Sequence, residues 1–271
     1  MAAALGVLAS CGSVKSGEDA IAASRDSKVV VAYVTSWSDV MPDPQCMTHI
    51  NYAFGHVNES FNGVKIDNEE RLKQIVDLKK QKPDLKVLLS IGGWGSGRFS
   101  EMAANDEYRR AFAVDCERVV EEFALDGIDI DWEYPTSSMA NISSSPDDTE
   151  NFTLLMQDIR AAIGNEKELT LATVASARYI DFKAILPSVD FVNIMAYDMA
   201  SAPKHHSALY PSGHSGDITS DGAVTAHLKA GVPPSKLVMG MPFYGRGGDG
   251  YPSFQDYNKV GNTDTQYTEK W

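Results

Sequence analysis

A chain of 271 residues with ordinary globular composition can bury one large core, and its size fits a single (β/α) barrel of about 250 residues. Its formal net charge of −13, with six scattered His, argues against a nucleic-acid partner, which requires a basic surface. No apolar run reaches the ~20 residues of a membrane span, and Cys11, Cys46 and Cys116 have neither zinc-like nor disulfide-framework spacing.

The chain opens on "MAAALGVLASC", small apolar residues ending in Leu-Ala-Ser-Cys, which resembles a bacterial lipoprotein signal with Cys11 as the lipidated residue. On that reading residues 1–11 are a signal segment, 12–27 a flexible tether and 28–271 an incomplete (β/α) barrel. The protein is then extracytoplasmic, lipid-anchored at the cell surface or in the periplasm, or else secreted.

Seven strand-like runs follow: 29–37, 49–54, 86–94, 127–134, 168–176, 189–198 and 236–245. Most are near-continuous apolar segments, as expected of parallel strands covered on both faces. Amphipathic stretches separate them. Asp67 and Glu70 read as a capping box for a helix carrying Leu72, Ile75 and Val76. A helix over 108–124 aligns Phe112, Cys116, Val119, Val120 and Phe123, which makes Cys116 a small buried hydrophobe. A third helix aligns Phe152, Leu155, Ile159 and Ile163 and stops at Gly164. A fourth spans 220–230 and closes at Gly231 before Pro233 and Pro234. The crossover "SDVMPDPQCM" is too short and Pro-interrupted for a long helix.

Alternating β and α units predict a parallel α/β fold, and seven strands favour a (β/α)8 TIM barrel over a doubly wound sheet. The eighth strand is missing from this chain, so the sequence reads as a C-terminally truncated barrel ending at "TQYTEKW". No Gly-x-Gly-x-x-Gly follows the first strand, and "SIGGWGSGR" lacks the Lys-Ser/Thr of a phosphate loop. No cofactor is expected.

The stretch "DGIDIDWEYP" (126–135) carries the chemistry. On a strand Asp129, Asp131 and Glu133 share one face, spaced about 6.6 Å apart, while Ile128, Ile130 and Trp132 face the covering helices. Glu133 lies nearest the C-terminal mouth, where such barrels hold their active sites. Asp126 falls off the stripe and reads as structural. No metal site is expected, since Asp129 and Glu133 stand about 13 Å apart along one strand. Clustered buried carboxylates cannot all ionise cheaply, so at least one holds its proton. A protonated Glu at the mouth is a general acid suited to a glycosidic oxygen.

Asp-x-x-Asp-x-Asp-x-Glu on the fourth strand resembles the signature of family 18 glycoside hydrolases, the chitinase family. "AYVTSW", "NYAF", "SIGGW", "MAYD" and "PFYGRG" resemble that family's motifs on strands one, two, three, six and seven. The resemblance implies retaining, substrate-assisted cleavage, with Glu133 as acid then base and Asp131 stabilising the acetamido group. It further implies that Asp129 shares a hydrogen bond or proton with Asp131, and that Tyr197 hydrogen-bonds the acetamido carbonyl. Tyr33, Trp37, Phe54, Trp94, Met195, Asp198, Tyr244 and Arg246 are implied sugar contacts. Two have a plainer alternative: Met195 as barrel filling and Trp94 as packed under its loop. His205 and His206, in the loop after the sixth strand, read as plain loop residues, with substrate contact as the alternative. The implied substrate is chitin or an N-acetylglucosamine oligosaccharide cut at β-1,4 links by a monomer. An endo-β-N-acetylglucosaminidase acting on N-glycans and a non-catalytic glycan-binding relative are the alternatives.

Overall fold

The computed structural model describes residues 28–246 and the short strand 255–256. The lipoprotein-type segment, its tether and the "TQYTEKW" end lie outside the described residues.

Seven strands run parallel in chain order: β1 (Val31–Thr35), β2 (His49–Val57), β4 (Lys86–Gly92), β5 (Gly127–Asp131), β6 (Glu168–Val174), β7 (Phe191–Met195) and β8 (Leu237–Met239). The sequence runs thus mark all seven; six strands are shorter than their runs, and β2 continues three residues past Phe54. β3 (Val64–Ile66) was not foreseen. It folds back antiparallel on β2, with Gly55 opposite Ile66. A two-stranded antiparallel ribbon pairs β9 (Tyr244–Gly245) with β10 (Gln255–Asp256). Among the described residues there is no eighth parallel strand.

Helices cover the outside. They are α1 (Glu69–Val76), α2 (Phe99–Ala104), α3 (Asp106–Glu122), α4 (Asp148–Ile163), α5 (Phe182–Ile185) and α6 (Ser220–Ala230). The expected capping box on α1 is replaced by Asn68, whose side chain accepts from Arg71 N at 3.2 Å. Asn tolerates the left-handed φ of 57° found there, and the Asp67 carboxylate is engaged elsewhere, by His56. α4 and α6 end at Gly164 (φ 75°) and Gly231 (φ 104°) as the pattern predicted. The first crossover holds only a short 3-10 turn, Pro44–Cys46.

The core lies between strands and helices. Ile128 and Ile130 are fully buried, and Trp132 stacks on Phe99 (centroids 5.3 Å apart) with its edge on Phe152 (5.8 Å). That fixes one face of β5 outward and leaves the acids on the other. Cys116 is buried on α3. Asp126 is structural: it accepts from Val87 N at 2.7 Å and pairs with Lys79.

Candidate active site

Register sets the inner layer. Ser90 of β4 and Thr170 of β6 flank Asp129. Asp129 is fully buried and accepts four hydrogen bonds, from Thr170 (2.6 Å), Ser90 (2.8 Å), Tyr33 (2.9 Å) and Asn193 (3.2 Å). Burial raises its pKa, and these donors oppose the rise. Four donors fill the acceptor sites of one carboxylate. The charge of Asp129 also acts on Asp131, two residues along the strand.

Asp131 is buried, and its Oδ1 has no hydrogen-bond partner. Burial, then the charges of Glu133 and Asp129, push its pKa well up. Glu133 sits at the mouth, almost fully covered. Burial raises its pKa, the neighbouring Tyr134 hydroxyl opposes this, and the charge of Asp198 adds to it. Two neighbouring carboxyls that both favour the neutral form can store and release a proton.

The glycines of "SIGGW" make this possible. Gly92 has φ +132°, and a Cβ there would stand 2.0 Å from the Asp131 carbonyl oxygen. Gly93 donates to that oxygen at 2.9 Å, and a Cβ on it would press the Phe54 ring at 2.8 Å.

On the β7 side, Tyr197 meets Tyr244 edge to face at 6.2 Å, and burial raises the pKa of both hydroxyls. Gly240 lets β8 pass close, since a Cβ would fall 2.8 Å from the Tyr197 ring. Asp198 gathers three partners: Tyr244 OH (3.0 Å), Arg246 (3.1 Å) and His206 Nδ1 (3.2 Å). Burial works against its charge, but the His206 hydrogen bond, Arg246 and Tyr244 outweigh it and hold its pKa low. Met195 ends β7, half-buried.

Aromatic faces rim the mouth. Trp37 is 72% exposed and lies 6.4 Å from Phe54. Trp94 is 62% exposed rather than packed under its loop, with its ring 6.4 Å from Tyr134. Tyr33 gives its hydroxyl to Asp129, and its side chain remains partly exposed.

The structure thus gathers two clusters, Tyr33–Asp129–Asp131–Glu133 and Tyr197–Asp198–Tyr244–Arg246, around one mouth. Sequence reasoning missed two residues, Tyr134 and His56, and left His206 between a substrate contact and a plain loop residue. The Tyr134 ring stands between Trp94 and Tyr179. His206 packs 5.5 Å from Tyr244 and binds Asp198. His56 joins Ser96 (2.8 Å) to Asp67 (3.0 Å) and so ties down the loop that carries Trp94. Adjacency to Glu133 was a usable signal for Tyr134; nothing in the spacing of residues 56, 67 and 96 announces their contact. Among the described residues no three His, Cys, Asp or Glu side chains gather as a metal site.

Comparison with known proteins agrees with this geometry. Residues 29–270 match the model for glycosyl hydrolases family 18. The chain is 31% identical to chitinase A1 of Niallia circulans, over 86% of this chain and 44% of that protein. It superposes on the chitinase domain of the Clostridium difficile spore coat protein CotE with TM-score 0.81 and 36% identity, over 87% of this chain and 70% of that one. The family 18 N-acetylglucosaminidase of Paenibacillus barengoltzii gives TM-score 0.74 and 39% identity, over 80% and 68% of the two chains. The chain spans about half the length of the curated relatives it matches. It belongs to glycosyl hydrolases family 18.

Proposed function

We propose that the chain carries a retaining site that hydrolyses β-1,4 links between N-acetylglucosamine units, with the substrate's own 2-acetamido group as nucleophile. The observation that carries this reading is the contrast along one strand: Asp129 is saturated with donors, while Asp131 and Glu133 above it are held toward the neutral form.

Glu133 gives its proton to the glycosidic oxygen as the bond to the anomeric carbon breaks. The acetamido oxygen closes on that carbon from the other side, forming an oxazolinium. Asp131, with Oδ1 unengaged, orients the acetamido N–H and balances its growing positive charge. Tyr197 holds the acetamido carbonyl. Glu133, now a carboxylate, takes a proton from water as that water opens the ring and leaves the product β-configured. Trp37, Phe54 and Trp94 offer faces to sugar rings, with Met195, Asp198, Tyr244 and Arg246 as further contacts.

Every acid of the stripe is present, which favours catalysis over a purely glycan-binding role. Parallel digestion of defined chito-oligosaccharides and N-glycans tests the substrate. Cleavage of the former alone is expected; cleavage of N-glycan cores alone would move the assignment to an endo-β-N-acetylglucosaminidase. The "LASC" stretch supports lipid anchoring, which palmitate labelling lost on Cys11→Ala would test.

A further inference from the structure

Trp94 stands at the tip of a tight turn. Ser96 N donates to the Gly93 carbonyl at 3.0 Å, which puts Trp94 and Gly95 at the two central positions. Gly95 has φ 83°, as the second central residue of a type II turn must. The first residue of the turn is held by backbone, since Gly93 N donates to the Asp131 carbonyl at 2.9 Å. The last is held by a side chain: His56 Nδ1 lies 2.8 Å from Ser96 Oγ. Across the same ring, His56 Nε2 lies 3.0 Å from Asp67 Oδ2. A carboxylate only accepts, so Nε2 carries a proton, and Nδ1 of the neutral ring accepts the Ser96 hydroxyl. Asp67 is fixed in turn. Its N–H donates to the Phe54 carbonyl at 3.3 Å, and its carbonyl accepts the hydroxyl of buried Tyr52 at 3.1 Å. β3 delivers it there, one residue past the pairing of Ile66 with Gly55.

We infer that His56 is a positioning residue for substrate binding: by clasping Ser96 to Asp67 it fixes the turn that presents Trp94 to the glycan. The inference rests on the proposed function, in which the Trp94 face meets a sugar ring. A ring 62% exposed has little packing to hold it, and Tyr134 meets it at 70° with centroids 6.4 Å apart. Its place therefore depends on the turn. Without the clasp the turn keeps its own closing bond but loses its tie to β2 and β3, and binding then bears the cost of ordering it. The Gly93–Asp131 backbone bond lies outside the clasp, so the acids keep their place. The loss belongs in KM and not in kcat.

His56→Ala and Ser96→Ala cut the clasp from opposite ends. Each should raise KM for chito-oligosaccharides about two- to tenfold, the span of one net hydrogen bond, with kcat held. His56→Gln, whose amide can donate to Asp67 and accept from Ser96, should recover most of the loss. The double variant should do no more than either single one, and neither should add to Trp94→Ala, because all act through one ring. Fluorine NMR of the protein labelled with fluorotryptophan, with Trp94 assigned by difference from Trp94→Phe, reads the ring without turnover. Its resonance should shift in His56→Ala and return in His56→Gln. An unmoved resonance, or a His56→Ala effect on KM as large in Trp94→Ala as in the parent, overturns the positioning role. If the resonance moves but Trp94→Ala leaves KM unchanged, His56 positions the ring as inferred, and the proposed contact of Trp94 with sugar fails.

Discussion

The Thr170 hydroxyl lies 2.6 Å from Asp129 Oδ1, donated from the neighbouring strand across the barrel interior. Two positions further along β5, Asp131 presents an oxygen with no partner at all. The same side-chain type on the same face thus has opposite surroundings. The inner acid anchors the barrel, and the next one keeps a buried oxygen unengaged.

Asp129→Ala is expected to destabilise the fold. It strands the hydroxyls of Ser90 and Thr170 and the amide of Asn193, all buried. A buried donor left without a partner costs about 1–3 kcal/mol. Thermal melting should show a clear fall for Asp129→Ala and a smaller one for Asp129→Asn, which keeps an acceptor. Equal melting of all three proteins would contradict the anchoring role.

Asp131→Asn should do the reverse. Burial, Glu133 and Asp129 raise the folded pKa of Asp131 well above its unfolded value. The folded state therefore binds this proton more tightly, and stability falls as pH climbs from about 4 toward the folded pKa. Removing the charge lifts the melting temperature at neutral pH, and the gain disappears below about pH 4. The same variant should lose kcat far more than it changes KM, because the carboxylate matters most as the oxazolinium forms. A pH-independent melting difference, or an effect confined to KM, would count against this.

Asp198 acts on the acid from the other side. Its negative charge helps keep Glu133 protonated. Asp198→Asn should therefore move the basic limb of kcat/KM to lower pH. A rise in KM should accompany it, since Tyr244, Arg246 and His206 lose the carboxylate on which they converge. A limb that moves upward would show that Asp198 does not act on Glu133 through charge.

Product stereochemistry reports the nucleophile. Fresh product followed by proton NMR should be the β-anomer, and thiazoline mimics of the cyclised acetamido group should inhibit. The α-anomer appearing first would mean that water attacks directly.

Most of the scaffold was legible because burial on both faces writes continuous apolar runs, as in "KVLLSIGGW" and "VDFVNIMAYD". The acid stripe was legible because it breaks such a run with period two. β3 was not, since three residues carry no periodicity. The Asn68 cap lost to Asp67 in the reading because both residue types suit the position, and the choice follows from His56 claiming Asp67. Contacts such as Asp198 with His206 depend on how a loop returns, which no local pattern encodes.

The most direct test of the account is the turnover of chito-oligosaccharides by Glu133→Gln. This substitution preserves shape and removes the transferable proton. General acid catalysis contributes about 10²–10⁴-fold, so kcat should fall by that order while oligosaccharide binding stays near that of the parent. A variant that keeps more than about a tenth of the parent kcat would contradict Glu133 as the proton donor, because that loss is smaller than general acid catalysis is worth.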